Sequence, residues 1–224
     1  MRRRIAIYGG TFDPIHLGHL GSIIDLKDRL HIEQVHLIPS YIPPHRGSPG
    51  ATAEQRLEML ELGVQGMEGI LVDDREVVRR GKSYTIDTLQ ELRLQYGPEA
   101  QLFFVLGTDA YKLLDEWHRW QELTNFAHIV VMRRQDSRAG ETSDQGPNRL
   151  VLEWQQDKRV SDLAELSGSG GKIVEVALSP IDISSTLVRQ CVRSGKSLDH
   201  LVPNQVAKYI AEQKLYGETK EVLS

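Results

Sequence analysis

An apolar run of four residues, Ile5-Ala6-Ile7-Tyr8, stops at Gly9-Gly10, and a helical pattern begins near Gly18 with Ile23, Ile24 and Leu26 as its apolar positions. A short buried strand that turns directly into a helix opens a parallel α/β unit, because parallel strands need a crossover and the usual crossover is a helix. Such turns stand at the carboxyl ends of strands, where open sheets take their ligands. Gly9 and Gly10 carry no Cβ, so an anionic group can come close to the backbone there. The helix start beyond them offers N–H groups and the positive end of a dipole. His16 and His19 are three apart and fall on one face of a helical turn. Imidazoles in that position can donate to phosphate oxygens, and phosphate charge favours their protonated form.

Taken singly, the glycine pair and Asp13-Pro14 are ordinary turn punctuation. The turn is not the G-x-G-x-x-G fingerprint, and it lacks the Gly-Lys-Ser/Thr that closes a P-loop. Zinc would need a third ligand at helical spacing beside the two histidines; none is there, so no metal is assigned to protein residues.

The strand–helix alternation continues along the chain. Gln34–Pro39 reads as a strand, and Thr52 with Gln55 as a capping box opening a helix through Leu57, Leu60 and Val64. Ile70-Leu71-Val72 is a short strand. A helix with Ser83 or Thr85 as N-cap runs to Tyr96 and is stopped by Gly97-Pro98. The nearly continuous apolar stretch Gln101–Leu106 belongs at the centre of the sheet, followed by strands at His128–Met132 and Lys172–Leu178. Further helices start at Ser184 and run from Pro203 to Leu215. The pattern predicts an α/β fold, a Rossmann-like doubly wound parallel sheet of about five to six strands with helices on both faces.

The 224 residues suit a single domain over 1–224, with an atypical inserted segment at 134–171. That segment is rich in Ser, Gly, Asp and Gln, carries one helix from Asn148 to Leu166, and reads as a surface excursion. The Pro-rich loop from Ser40 to Gly50 follows a strand end and is placed to cover a ligand.

The net charge of −4 supplies no basic stripe, which argues against nucleic acid as the main partner. Arg2-Arg3-Arg4 is not followed by a signal-peptide core, and the longest apolar runs are strand-sized. A cytoplasmic protein without a membrane partner is expected. The single cysteine, Cys191, forbids an intrachain disulfide and reads as a small packed helical side chain.

Asp182-Ile183-Ser184-Ser185-Thr186-Leu187-Val188-Arg189 is the second notable stretch. Alone it is a capped helix with a surface arginine; with a ligand present it is an anion site, Arg189 one turn in. Together with residues 9–19 it resembles the G-G-[ST]-F-D-P-x-H-x-G-H and I-S-S-T-x-x-R signatures of the nucleotidylyltransferase superfamily. Ser83-Tyr84-Thr85-x-Asp87-Thr88-Leu89, Phe104–Asp109 and Trp117-x-x-Trp120 then narrow the resemblance to bacterial nicotinate-nucleotide adenylyltransferases, over Arg4–Arg133 and Lys172–Tyr216.

That resemblance implies ATP and nicotinate mononucleotide as partners, with His16, His19 and Arg189 as catalytic residues. It assigns Gly9, Gly10, Thr11, Phe12, Gly107, Asp109, Ile183, Ser184, Ser185 and Thr186 to ATP along with the two histidines and the arginine. It assigns Thr11, Phe12, Ser40, His45, Tyr84, Thr85 and Trp117 to the mononucleotide. An indole at Trp117 can stack on a cationic pyridinium, and the helix start at Tyr84-Thr85 can offer N–H groups to a carboxylate. Mg²⁺ is expected to be held mainly by ATP phosphates and water. A homo-oligomer is compatible with the sequence. The alternatives are an adenylyltransferase for nicotinamide mononucleotide or another phosphate acceptor such as phosphopantetheine, and a nucleotide-binding module without turnover.

Overall fold

The computed structural model describes residues 2–43, 47–134, 146–178 and 181–217. His45 and residues 135–145 lie outside them. Seven strands form one all-parallel sheet: β1 (Arg4–Gly10), β2 (Gln34–Pro39), β3 (Ile70–Val72), β4 (Gln101–Gly107), β5 (His128–Arg134), β6 (Arg159–Val160) and β7 (Ile173–Leu178), in the order β3-β2-β1-β4-β5-β7-β6. The sheet is one strand larger than the expected five to six. The order reverses between β1 and β4, and in open α/β sheets that reversal is where a ligand crevice opens.

The sheet is covered on both faces, so its central strands are largely apolar. In β4, Phe103 and Val105 enter one core while Leu102, Phe104 and Leu106 enter the other, all 4% exposed or less. Fully burying one such side chain stabilises the fold by about 1.5–3 kcal/mol. The first core takes Leu20, Ile23 and Leu26 from α1 (Leu17–Arg29), Met59 and Leu60 from α2 (Ala53–Gly63), Val188 from α7 (Ser185–Arg193), and Val206 and Ile210 from α8 (Asn204–Glu212). The second takes Ile86, Leu89 and Leu92 of α4 (Thr85–Tyr96). These residues recur every three or four positions, the spacing of one helical face. Ile24, expected with them, points outward and is 41% exposed. Cys191 is packed, as its small apolar character suggests.

The segment at 134–171 does not form one helix from Asn148 to Leu166. It makes α6 (Arg149–Trp154), the two-residue strand β6 and a 3₁₀ turn at Leu163–Glu165. Strand β6 pairs with β7 through Arg159–Ile173 and Val160–Val174. Val151 is fully buried, Leu166 is 5% exposed, and Gln155 accepts a 2.5 Å bond from the Tyr111 hydroxyl. Its described part closes an edge of the sheet rather than standing off the surface. Two short helices fill the remaining connections, α3 (Arg75–Arg79) and α5 (Thr108–Lys112).

Candidate active site

Strands β1 and β4 both end on glycine, at Gly10 and Gly107. A Cβ placed on Gly107, or on Gly9 just before the end of β1, would meet nothing within 4 Å, so open space lies beside both strand ends, whereas one on Gly10 would lie 3.1 Å from the Phe12 ring. The chain leaves β1 through Thr11 and Phe12 and enters α1 at His16, whose extended backbone makes it the N-cap. Its Nδ1 accepts from the His19 backbone N–H at 3.2 Å. A ring nitrogen that accepts carries no proton, so neutral His16 holds its proton on Nε2. The protonated form expected for this residue from phosphate charge would break that cap. The His16 and His19 rings stack with centroids 3.6 Å apart, which places both imidazoles on one side of the helix start. The Phe12 ring is buried edge-on against Tyr8 and His19, so any contact from Phe12 to a ligand falls to its backbone.

The second motif docks directly onto the first. Ser184 caps α7, its Oγ accepting from the Leu187 N–H at 3.1 Å. Ser185 Oγ donates to the Pro14 carbonyl at 2.9 Å, and Arg189 Nη1 to the Asp13 carbonyl at 2.7 Å. A Cβ on Gly18 would stand 2.9 Å from His16 Nδ1 and 3.0 Å from the Ile183 carbonyl. Only glycine allows that approach of the two helix starts. Neither helix has an acid in its first turn, so their positive ends converge on one place.

Beneath the turn lies a buried arginine that sequence reasoning missed. Arg56 is 1% exposed and donates to the carbonyls of Thr11 (2.7 Å), Tyr41 (3.2 Å) and Ala51 (3.4 Å). Burial lowers its pKa from the ordinary arginine range, and the Asp13 charge opposes that shift. Its place in α2, between Glu54-Gln55 and Leu57-Glu58, gives no local sign that it faces inward.

On the other side of β4, α4 begins at Thr85 with Tyr84 at the cap position. Ser83, an expected cap, instead accepts from the Tyr41 N–H at 2.9 Å and ties this helix start to the loop after β2. Thr88 donates to Glu76 at 2.6 Å and Arg79 to Glu91 at 2.6 Å, which anchors the first turns of α4 to α3. Asp87 in the first turn offsets part of the helix dipole, so an anion here would rely on the N–H donors themselves. The Tyr84 ring lies 4.6 Å from that of His118, and Trp117 meets Phe104 edge-on at 6.0 Å. His118, an unpredicted neighbour, sits inside the quoted Trp117–Trp120 run. Trp117 and Tyr84 are partly buried, as a stacking surface requires. Ser40 is buried and its hydroxyl has no hydrogen-bond partner among the described residues. Asp109 is exposed in the first turn of α5, beyond Gly107.

The profile of the cytidylyltransferase-like family matches residues 7–191. A probable nicotinate-nucleotide adenylyltransferase of Pseudomonas syringae pv. tomato is 44% identical over 214 residues, 96% of this chain and 94% of that protein. This chain belongs to the nicotinate-nucleotide adenylyltransferase family. A second relative in the family, from Marinobacter nauticus, is 44% identical over 94% of this chain and 95% of its own. Both alignments are long enough to run through the 134–171 segment, which the local motifs alone did not reach. The fold matches that of Plasmodium falciparum nicotinic acid mononucleotide adenylyltransferase, solved with NaAD, at a TM-score of 0.69 and 17% identity, covering 96% of this chain and 98% of that one.

Proposed function

We propose that this enzyme transfers AMP from ATP to nicotinate mononucleotide, giving nicotinate adenine dinucleotide and pyrophosphate in NAD biosynthesis. The observation that carries the reading is the docking of the Ser184–Arg189 helix start onto the Asp13–His16 turn. It joins two anion-seeking helix ends, two imidazoles and a guanidinium beside the open strand ends.

The acceptor phosphate has a second pKa near ~6 and is largely dianionic at neutral pH, so it needs no protein base. One of its oxygens forms a bond to the ATP α-phosphorus while the bond from that phosphorus to the bridging oxygen breaks. Pyrophosphate leaves with the electron pair. The chain's part is positioning and charge stabilisation. His16 presents a donor at Nε2, His19 stands beside it at the α/β bridge, and Arg189 meets the departing phosphates. On the acceptor side, Trp117 stacks on the pyridinium, the Tyr84-Thr85 helix start holds the ring carboxylate, and the Ser40 hydroxyl takes a further substrate group.

Mg²⁺ would neutralise phosphate charge when bound. The described residues include no cluster of three His, Cys, Asp or Glu able to hold a metal. The Asp13 carboxylate already accepts from Gly50 N–H, Ala51 N–H and the Tyr216 hydroxyl. In this proposal the ion arrives on the nucleotide, held mainly by its phosphates and water. No helix among the described residues is long and apolar enough to cross a membrane. The reading keeps the enzyme in the cytoplasm with its small substrates.

The test is pyrophosphate release from ATP with nicotinate or nicotinamide mononucleotide, side by side. Turnover with the acid supports the reading. Release with neither would overturn it, and release with the amide alone would move the activity to the other acceptor.

A further inference from the structure

We infer that Tyr216, 203 residues from the phosphate turn, is a positioning residue that keeps the Asp13 carboxylate from closing into a hydrogen-bonded pair with Arg189 and so keeps that guanidinium available to ATP. The inference rests on the phosphate role given to Arg189 above.

Asp13 lies at the centre of the site but is 7% exposed. One carboxylate oxygen, Oδ1, accepts from the Tyr216 hydroxyl at 2.8 Å and from the Ala51 N–H at 3.1 Å. The other, Oδ2, accepts from the Gly50 N–H at 2.7 Å and forms a loose ion pair with Arg189 Nη1 at 3.8 Å, without a hydrogen bond. That nitrogen instead donates to the Asp13 carbonyl. The carboxylate is therefore held by three neutral donors on the side of the 50–51 backbone and the C-terminal segment.

Arginine–carboxylate pairs prefer a closer, bidentate contact. Removing one of the three donors leaves a buried anion under-satisfied, with a guanidinium already at ion-pair distance and just beyond hydrogen-bond reach. The pair would close, and Arg189 would lose charge towards a phosphate. Tyr216 is suited to prevent this. Burial and the Asp13 charge both push its phenol pKa far above the ordinary tyrosine value, so it remains a donor at every working pH. Its ring packs on Gly50, where an added Cβ would lie 3.0 Å from Cδ1. The same contact aligns the loop that supplies two of the three donors.

The test is steady-state kinetics of Tyr216→Phe with each substrate varied in turn, together with thermal unfolding. The expected result is a KM for ATP raised about ten-fold, the scale of one hydrogen bond to a charged group. The KM for nicotinate mononucleotide should change less than about two-fold. Gly50→Ala keeps the hydroxyl but displaces the ring, and should give the same split, which covers the case in which Tyr216→Phe does not fold. An unchanged KM for ATP overturns the inference, and so does an equal rise for both substrates, the mark of a loosened fold. Wild-type enzyme runs in parallel: its failure to release pyrophosphate would reject the parent reading, whereas an active wild type with an unaffected variant rejects only the role of Tyr216.

Discussion

Arg189 Nη1 donates to the backbone carbonyl of Asp13 at 2.7 Å, across 176 residues of sequence. The bond fixes the guanidinium against the turn that follows β1. With the Ser185–Pro14 bond beside it, it makes one structure of two stretches that each look like ordinary helix starts alone. Arg189 Nη2 donates to Thr186 Oγ1 at 3.4 Å, so two of the five N–H groups are engaged and three are left for another anion.

The two histidines have separable duties. His16 caps α1 in addition to its proposed place at the phosphates, whereas His19 lies one turn in. We expect His19→Ala to lower kcat by about 10²-fold, the scale of removing one donor to developing charge, with little change in thermal midpoint. We expect His16→Asn to preserve stability, because asparagine caps well, while His16→Ala loses about 1 kcal/mol. Both His16 variants should be impaired in turnover. Calorimetry alongside pyrophosphate release separates the effects, and near wild-type turnover in His19→Ala would remove it from the mechanism.

Acid and amide mononucleotides differ by a carboxylate against a carboxamide. In the proposed site, the N–H groups at the start of α4 would satisfy a carboxylate, whereas an amide NH₂ would turn donors on donors. We expect kcat/KM to favour nicotinate mononucleotide by about 10²-fold or more. Trp117→Ala should raise the KM for the mononucleotide with a smaller effect on ATP, because stacking touches only the acceptor ring. Equal kcat/KM for acid and amide would contradict the Tyr84-Thr85 carboxylate site and leave the transferase assignment standing.

The inserted segment carries core residues. Replacing 147–169 with a short linker removes Val151, Leu166, the Gln155–Tyr111 bond and strand β6. Truncating even one large buried side chain costs about 2–5 kcal/mol, a sizeable share of a typical domain's stability of about 5–15 kcal/mol. Circular dichroism should show a lost or broadened thermal transition. A sharp transition at the wild-type temperature would show that the segment is dispensable.

His128 supplies a pH dependence of stability. It is fully buried at the start of β5, its Nδ1 accepting from the Lys172 N–H at 3.2 Å. Burial pulls its pKa down to about 4 from 6.5. A base with a depressed folded-state pKa is protonated first in the unfolded chain. Stability is therefore lost as pH falls from about 6.5 to about 4, by about 3 kcal/mol at most. His128→Phe, which keeps a flat ring beside Phe103 (centroids now 5.4 Å apart), should flatten that part of the melting-temperature profile. An unchanged slope between about pH 7 and about pH 4.5 would assign the loss to other groups.

Sequence patterns were legible wherever the structure is decided locally. The Thr52–Gln55 box forms as its spacing indicates, and the unbroken apolar run of β4 does lie mid-sheet. Residues 148–166 misled because Leu150, Val151 and Trp154 carry a helical pattern only briefly. The chain beyond Trp154 is shaped by Arg159 and Val160 meeting β7, a pairing no local pattern announces. Tyr84 replaced Ser83 at the cap because Ser83 is engaged by Tyr41. Arg56 and Tyr216 escaped notice for the same reason: a buried polar side chain is defined by partners distant in sequence.

The helices around this sheet are not alike at their starts. Glu54, Glu76, Asp87 and Asp109 sit in the first turns of α2, α3, α4 and α5, whereas α1, α6, α7 and α8 have no acid there, and of these α1 and α7 meet at the Asp13–Pro14 turn. An internal carboxylate would make those two ends more comfortable and the resting protein more stable. With the proposed phosphates bound, the complementary charge would come from outside, and part of the protein's cohesion would be lent by what it works on. Occupancy should then register as resistance to heat: at a nucleotide concentration about 100 times its Kd, the folded state gains about 2.7 kcal/mol. The enzyme would be sturdiest while engaged, and a plain melting curve would report how full it is.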